Sequence, residues 1–125
     1  MNSGAPKKYV PKPSNVTAES FFCDEKGITV TSYNDVDYPP LLREAADRPH
    51  IVYSIGDIEA LQSKHILSVV GTRRISSYGE SICAKIIPEL AEMFPDLVVV
   101  SGLAFGVDAA AHRAALAAGV RTVGV

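Results

Sequence analysis

Three apolar, β-branched runs separated by two helical segments fill the second half of this 125-residue chain, and the connections between them are very short. The runs are "HILSVVG" (65–71), "LVVVS" (97–101) and "RTVGV" (121–125). Continuous apolar strands of this kind are buried on both faces, as in a parallel sheet. Between the first two lies "YGESICAKIIPELAEMF" (78–94), with Ile82, Ile86, Leu90 and Met93/Phe94 at helical spacing. Pro88 inside it removes a backbone donor and is expected to kink the helix or shift its register, and Pro95-Asp96 ends it. Between the second and third lies the alanine-rich "GVDAAAHRAALAAG" (106–119), with Gly119 placed as a C-cap. The order β-α-β-α-β requires parallel strands and right-handed crossovers. The expected fold class is therefore α/β, a doubly wound and mostly parallel sheet. The chain stops inside a strand, so the sequence reads as the front part of a larger domain.

Upstream the pattern is looser. Residues 1 to about 17 carry three prolines and three lysines and read as an extended leader. The expected division is thus a leader or linker over 1–26 and the N-terminal part of an α/β domain over 27–125. "GITVTSY" (27–33) alternates as a short edge strand. Tyr38-Pro39-Pro40 opens a short helix that Asp47-Arg48-Pro49 closes, and "HIVYSIG" (50–56) is a further strand.

Composition narrows the function. Net charge is −2, so there is no global basic field to draw in nucleic acid, and any anion site must be built locally. Cys23 and Cys83 lie far apart with no CxxC spacing, which argues against a disulfide framework or a zinc site and suits a reducing cytoplasm. The N-terminal stretch has no apolar core of a secretory signal, and no run approaches the ~18 apolar residues of a membrane span.

The local site is suggested by two loops. Gly71 lies at the carboxyl end of one buried strand and Gly102 at that of the next, where open α/β sheets bind ligands. The first loop reads Gly71-Thr72-Arg73-Arg74. The second reads "SGLAFGVD", with Ser101, Gly102, Ala104, Gly106 and Asp108. Glycines there permit close backbone approach to an oxyanion, a helix N-terminus adds partial positive charge, and arginine grips phosphate bidentately. Two such loops on successive strands favour a phosphate cradle over two plain turns. Neither loop fits GxGxxG or GxxxxGK[ST], so a plain NAD or ATP site is disfavoured and no cofactor is expected.

Other candidates are weaker. Asp108 and His112 share a helix face at metal-ligand spacing, but with no third or fourth ligand evident the expected roles are helix N-terminal complementation and internal packing or hydrogen bonding. His50 and His65 are placed at the rim of the sheet. Ser101 lacks a nucleophile elbow and an identifiable base, so no catalytic residue is expected. Tyr38, Tyr53 and Tyr78 could stack on bases, though packing is the commoner use of a tyrosine near a strand end. Lys7, Lys8 and Lys12 read as a solvated tail.

Taken together, "YPPLLREAADRPHIVYSIGD", "SVVGTRRISSYGES", "VVVSGLAFGVDAAAHRAAL" and "TVGV" resemble the DNA-processing protein A (DprA/Smf) family over residues 27–125. The shared parts are a Tyr-Pro-x-x-Leu opening, a Gly-Ser/Thr-Arg loop, and a Ser-Gly-x-Ala-x-Gly-Ile/Val-Asp loop followed by Ala-His. The resemblance implies an extended Rossmann-like fold, single-stranded DNA as ligand, and help in loading a RecA-type recombinase during natural transformation, with a homodimer in the full-length protein. It places the DNA-phosphate pocket at Gly71, Thr72 and Arg73 and at Ser101, Gly102, Ala104, Gly106 and Asp108. The competing expectation is an enzyme, since related LOG-type phosphoribohydrolases cleave nucleoside monophosphates with a Pro-Gly-Gly-x-Gly-Thr-x-x-Glu segment. These 125 residues contain no such segment.

Overall fold

The computed structural model describes residues 18–125. The leader expected over residues 1–17, with Lys7, Lys8 and Lys12, lies outside the described residues. The chain divides into two compact units, Met1–Gln62 and Ser63–Val125.

The first unit begins, in its described part, with helix α1 (Ala18–Lys26), in the stretch expected as a leader or linker. Gly27, at φ 68°, ends it, and Ile28 N–H donates to the Cys23 carbonyl. Strand β1 (Thr29–Ser32) and strand β2 (Ile51–Ser54) then form an antiparallel pair in the register Thr29↔Ser54 through Ser32↔Ile51. Between them stands the short helix α2 (Pro40–Arg43), opened by Pro39 in extended backbone and by Pro40, whose missing N–H would be unpaired in a first turn anyway. A 3₁₀ turn (Ile58–Gln62), not foreseen in the sequence, closes the unit with Ile58 and Ala60 buried.

The second unit has the expected rhythm. Strands β3 (Ile66–Val69), β4 (Val98–Ser101) and β5 (Arg121–Gly124) form a parallel sheet in the order β3-β4-β5. Helix α3 (Ser77–Met93) links the first two strands and helix α4 (Val107–Ala117) the last two. Register aligns Leu67 with Val99 and Thr122, and Val69 with Ser101 and Gly124, so these side chains share one face. The core forms on that face: Ile87, Leu97, Val99, Ala111, Ala115 and Val120, with Leu67, Val69, Leu90 and Phe94 packed against them. Both helices therefore cover the same side of this part of the Rossmann-like sheet.

Two details differ from the periodicity reading. Helix α3 runs through Pro88 without interruption, and its inward stripe is Ile87, Leu90, Ala91 and Phe94. Ile86 is 41% exposed and Met93 68%, so the stripe is shifted from the one the spacing favours. The tandem Ile86-Ile87 offers two nearly equal phases. The short connection from Phe94 to Leu97, closed by Leu97 N–H donating to the Phe94 carbonyl, selects the phase that turns Phe94 inward. At the end of α4, Gly119 takes φ 70° while Gly119 N–H reaches the Leu116 carbonyl and Val120 N–H the Ala115 carbonyl. This is a Schellman closure, and it delivers the chain directly into β5.

Candidate functional site

Because β3 and β4 are parallel neighbours, the loops that follow them emerge at the same edge of the sheet. They are joined by backbone. Val107 N–H, at the start of α4, donates to the Thr72 carbonyl at 3.0 Å. Gly106 stands at φ 84°, a region that L side chains rarely adopt, and a Cβ there would collide with the backbone of Thr72 and Arg73. Gly71 is equally confined, since its Cβ would lie 2.6 Å from Val107 Cγ2. Gly71 and Gly106, one from each loop, thus serve the closeness of one loop to the other, a role that spacing alone did not distinguish from approach to a ligand.

The second loop is braced from within. Ser101 is buried, and its hydroxyl lies 2.7 Å from the Val69 carbonyl oxygen and 3.0 Å from Asp108 Oδ1, so one proton serves two acceptors. Asp108 Oδ2 accepts from Ala104 N–H at 3.4 Å and fills the space that a Cβ on Gly102 would need. His112 Nε2 meets the Gly102 carbonyl at 2.8 Å, and since a carbonyl only accepts, that nitrogen carries the proton. Its Nδ1 meets the Thr122 hydroxyl at 2.6 Å. Both ring nitrogens are therefore engaged in holding the loop. Among the described residues no three His, Cys, Asp or Glu side chains group as metal ligands.

The first loop presents charge. Thr72 Oγ1 accepts from Arg74 N–H at 3.1 Å, which shapes the turn, and Ser76 caps α3 by accepting from Gly79 N–H at 3.1 Å. A Cβ on Gly79 would press on Ile75 at 2.8 Å, which explains a glycine in the first turn of a helix. Arg73 and Arg74 are exposed, and among the described residues neither guanidinium has a hydrogen-bond or ion-pair partner. The nearby acidic residues do not neutralise them: Asp108 is turned into its own loop, and Glu80 lies 3.8 Å from Arg113. Charge is also unevenly spread along the chain. Ser63–Val125 carries six basic against five acidic residues, whereas the first 62 residues carry six against nine.

The remaining sequence candidates separate clearly. Tyr38 is 1% exposed and its hydroxyl donates to the Pro49 carbonyl at 2.6 Å, so it is a packing residue. His50 meets Tyr33 edge-on at 6.4 Å in the first unit. His65 stacks on Phe94 at 4.4 Å and meets Asp96 at 2.7 Å, at the amino end of the sheet and away from the loops. Tyr53 and Tyr78 are 53% and 75% exposed, and only Tyr78 stands beside the arginine loop in sequence. The sequence reading passed over Phe105, which is 84% exposed at the tip of the second loop. Its signal was its position, between two residues whose backbone the loop fixes.

A parallel sheet with two adjoining glycine loops, the first of which exposes two unpaired arginines, defines a Rossmann-like α/β protein with a cation-presenting end. The profile of the DNA recombination-mediator protein A family matches residues 29–125, and the chain belongs to that family. It is 33% identical over 119 residues to the DNA processing protein DprA of Bacillus subtilis, covering 95% of this chain and 38% of that one. It is 40% identical over 88 residues to the DprA of Streptococcus pneumoniae, covering 70% and 30% respectively. The X-ray structure of DNA processing protein A from Streptococcus pneumoniae superposes with a TM-score of 0.73 at 33% identity, over 88% of this chain and 38% of that one. The chain thus spans under two fifths of the length of these relatives. No helix among the described residues is long and apolar enough to cross a membrane.

Proposed function

We propose that this chain binds single-stranded DNA through the paired loops after β3 and β4, within the processing of DNA during uptake and recombination. Arg73 and Arg74 hold backbone phosphates, and the loop Ser101, Gly102, Ala104, Gly106 and Asp108 sets their position. Thr72 and Gly71 join the two loops. Asp108 acts by bracing, because a carboxylate facing the strand would repel phosphate. In the whole protein the bound strand is passed to a RecA-type recombinase, with a second copy of the protein as a further partner.

The observation that carries this reading is the pair of exposed, unpartnered guanidiniums on a loop locked by backbone to its neighbour. Membership of a family described as a DNA recombination mediator supports the identity of the anion. The test is a salt titration of oligo-dT binding. For single strands, log affinity falls with log salt by about 0.7 per phosphate contacted. Two arginines and one or two backbone donors make about 3–4 contacts, hence a slope of about −2.1 to −2.8. Affinity should also rise from a mononucleotide to a short oligomer. Tight AMP binding that a longer strand does not improve, accompanied by release of adenine, would overturn this reading in favour of a nucleotide-cleaving enzyme.

A further inference from the structure

We propose that Phe105 is a stacking platform for a nucleobase of the strand whose phosphates Arg73 and Arg74 hold, and that it makes the site selective for single strands. This rests on the DNA-binding reading above and adds to it a contact to the base. Phe105 is 84% exposed and makes no ring contact among the described residues. Both of its neighbours are constrained: Ala104 donates its N–H to Asp108, and Gly106 needs its positive φ. Phe105 itself has no such internal duty. An aromatic ring is the wrong choice for a position that only meets water, since its apolar surface stays hydrated.

Its neighbourhood points to the occupant. Gly106 is in backbone contact with Thr72 and Arg73, so the residue before it stands one position from the arginine turn. A flat apolar face beside two unpaired cations matches a ligand that is itself a π-face attached to an anion. Every unpaired nucleotide has that form, and aromatic rings beside a basic groove bind single strands without sequence preference. In a duplex the base faces are already stacked on one another, so the same ring gains nothing from it. Leu103 and Val70 are equally exposed near the loops but offer no π-face.

The test compares oligo-dT with an abasic deoxyribose-phosphate chain of equal length, using the full 125-residue chain and fluorescence anisotropy. The unsubstituted protein should bind oligo-dT more tightly than the abasic chain. Phe105→Ala should lose roughly 5- to 100-fold on oligo-dT and nothing on the abasic chain, with an unchanged salt slope and an unchanged melting temperature. The sequence contains no tryptophan, so Phe105→Trp introduces a single reporter. Its emission should be quenched by oligo-dT and not by the abasic chain. Equal affinity of the unsubstituted protein for both chains, equal losses on both in Phe105→Ala, or no loss on either, would refute the platform while leaving phosphate binding standing. Failure of the unsubstituted protein to bind either chain would refute the DNA-binding reading and the platform with it.

Discussion

Two pairs of arginines, Arg43 with Arg48 in the first unit and Arg73 with Arg74 in the second, differ in what surrounds them. Arg43 donates to the Tyr33 carbonyl at 2.6 Å and to the Asp35 carbonyl at 3.2 Å. Its guanidinium also lies 4.7 Å from the Tyr33 ring centre and 5.1 Å from that of Tyr38. Arg48 approaches the same Tyr33 ring at 4.7 Å and donates to the Ala45 carbonyl at 3.0 Å. Tyr33 and Tyr38 meet edge-on at 5.4 Å, so one aromatic pair and two arginines tie the β1–α2 connection together. None of these contacts exists for Arg73 and Arg74. A guanidinium has five donors, and where the fold uses them the residue is structural; where it leaves them in water the residue is available to a ligand.

The largest expected effect is therefore on stability and belongs to Arg43. Arg43→Ala removes two charge-assisted hydrogen bonds and two cation–π contacts and strips the half-buried Tyr33 carbonyl of its guanidinium donor, while the Asp35 carbonyl keeps the Tyr38 N–H. The expected cost is about 2–4 kcal/mol, with a fall in melting temperature of about 8 °C or more. The folded fraction should bind oligo-dT as before. A thermally unperturbed Arg43→Ala would mean that the arginine is not part of the frame, and the contrast would collapse from that side.

Arg73→Ala should show the opposite pattern. Losing one charge-assisted phosphate contact of about 1.5–3 kcal/mol lowers affinity tenfold or more. Melting should be unchanged, because no partner in the fold is left unpaired. Arg74→Ala should lower affinity less, since adjacent residues in a turn seldom aim at one point. Anisotropy titrations of both variants, each alongside a melting curve, read these effects. A destabilised Arg73→Ala would show that the loop depends on the guanidinium internally, against the geometry.

This contrast was only partly visible in the sequence. The β-α-β-α-β order was legible because parallel strands and their helices carry strong apolar periodicity. The two glycine loops were legible because Gly71 and Gly102 follow successive strands. What the glycines do was not, since whether a missing Cβ makes room for a ligand or for a neighbouring loop is decided by tertiary approach. Gly106 against Thr72 joins residues of two different loops, and Gly102 against Asp108 depends on how the second loop folds back on itself. Tyr38 could not be told from Tyr78 by residue type: the first is buried under Arg43, the second stands on the first turn of α3. Phe105 was missed because an aromatic residue inside a motif reads as packing by default. The helix at 18–26 was missed because its apolar pattern is weak and it follows a proline-rich stretch.

The smallest expected effect sharpens the comparison within the second unit, at the opposite end of its sheet from the loops. There charge is paired off. His65 Nδ1 lies 2.7 Å from Asp96 Oδ1, and the Ser63 hydroxyl donates to Asp96 Oδ2 at 3.0 Å. The hydrogen bond from His65, helped by that from Ser63, holds the Asp96 carboxyl below its ordinary value of 3.8. A carboxylate whose value is depressed by folding stabilises the fold at pH above its unfolded value, and that contribution is lost as pH falls through the folded value. The window therefore opens just below pH 4 and extends downward. Both side chains are more than two fifths exposed, so solvent screens the pair and the effect is small. Asp96→Asn should melt slightly below the unsubstituted protein at neutral pH, and the gap should close below pH 4 as the aspartate takes up its proton. Oligo-dT affinity should not change at any pH in this series. A change in affinity would connect the two ends of the sheet, and the division between a paired structural end and an unpaired binding end would then fail.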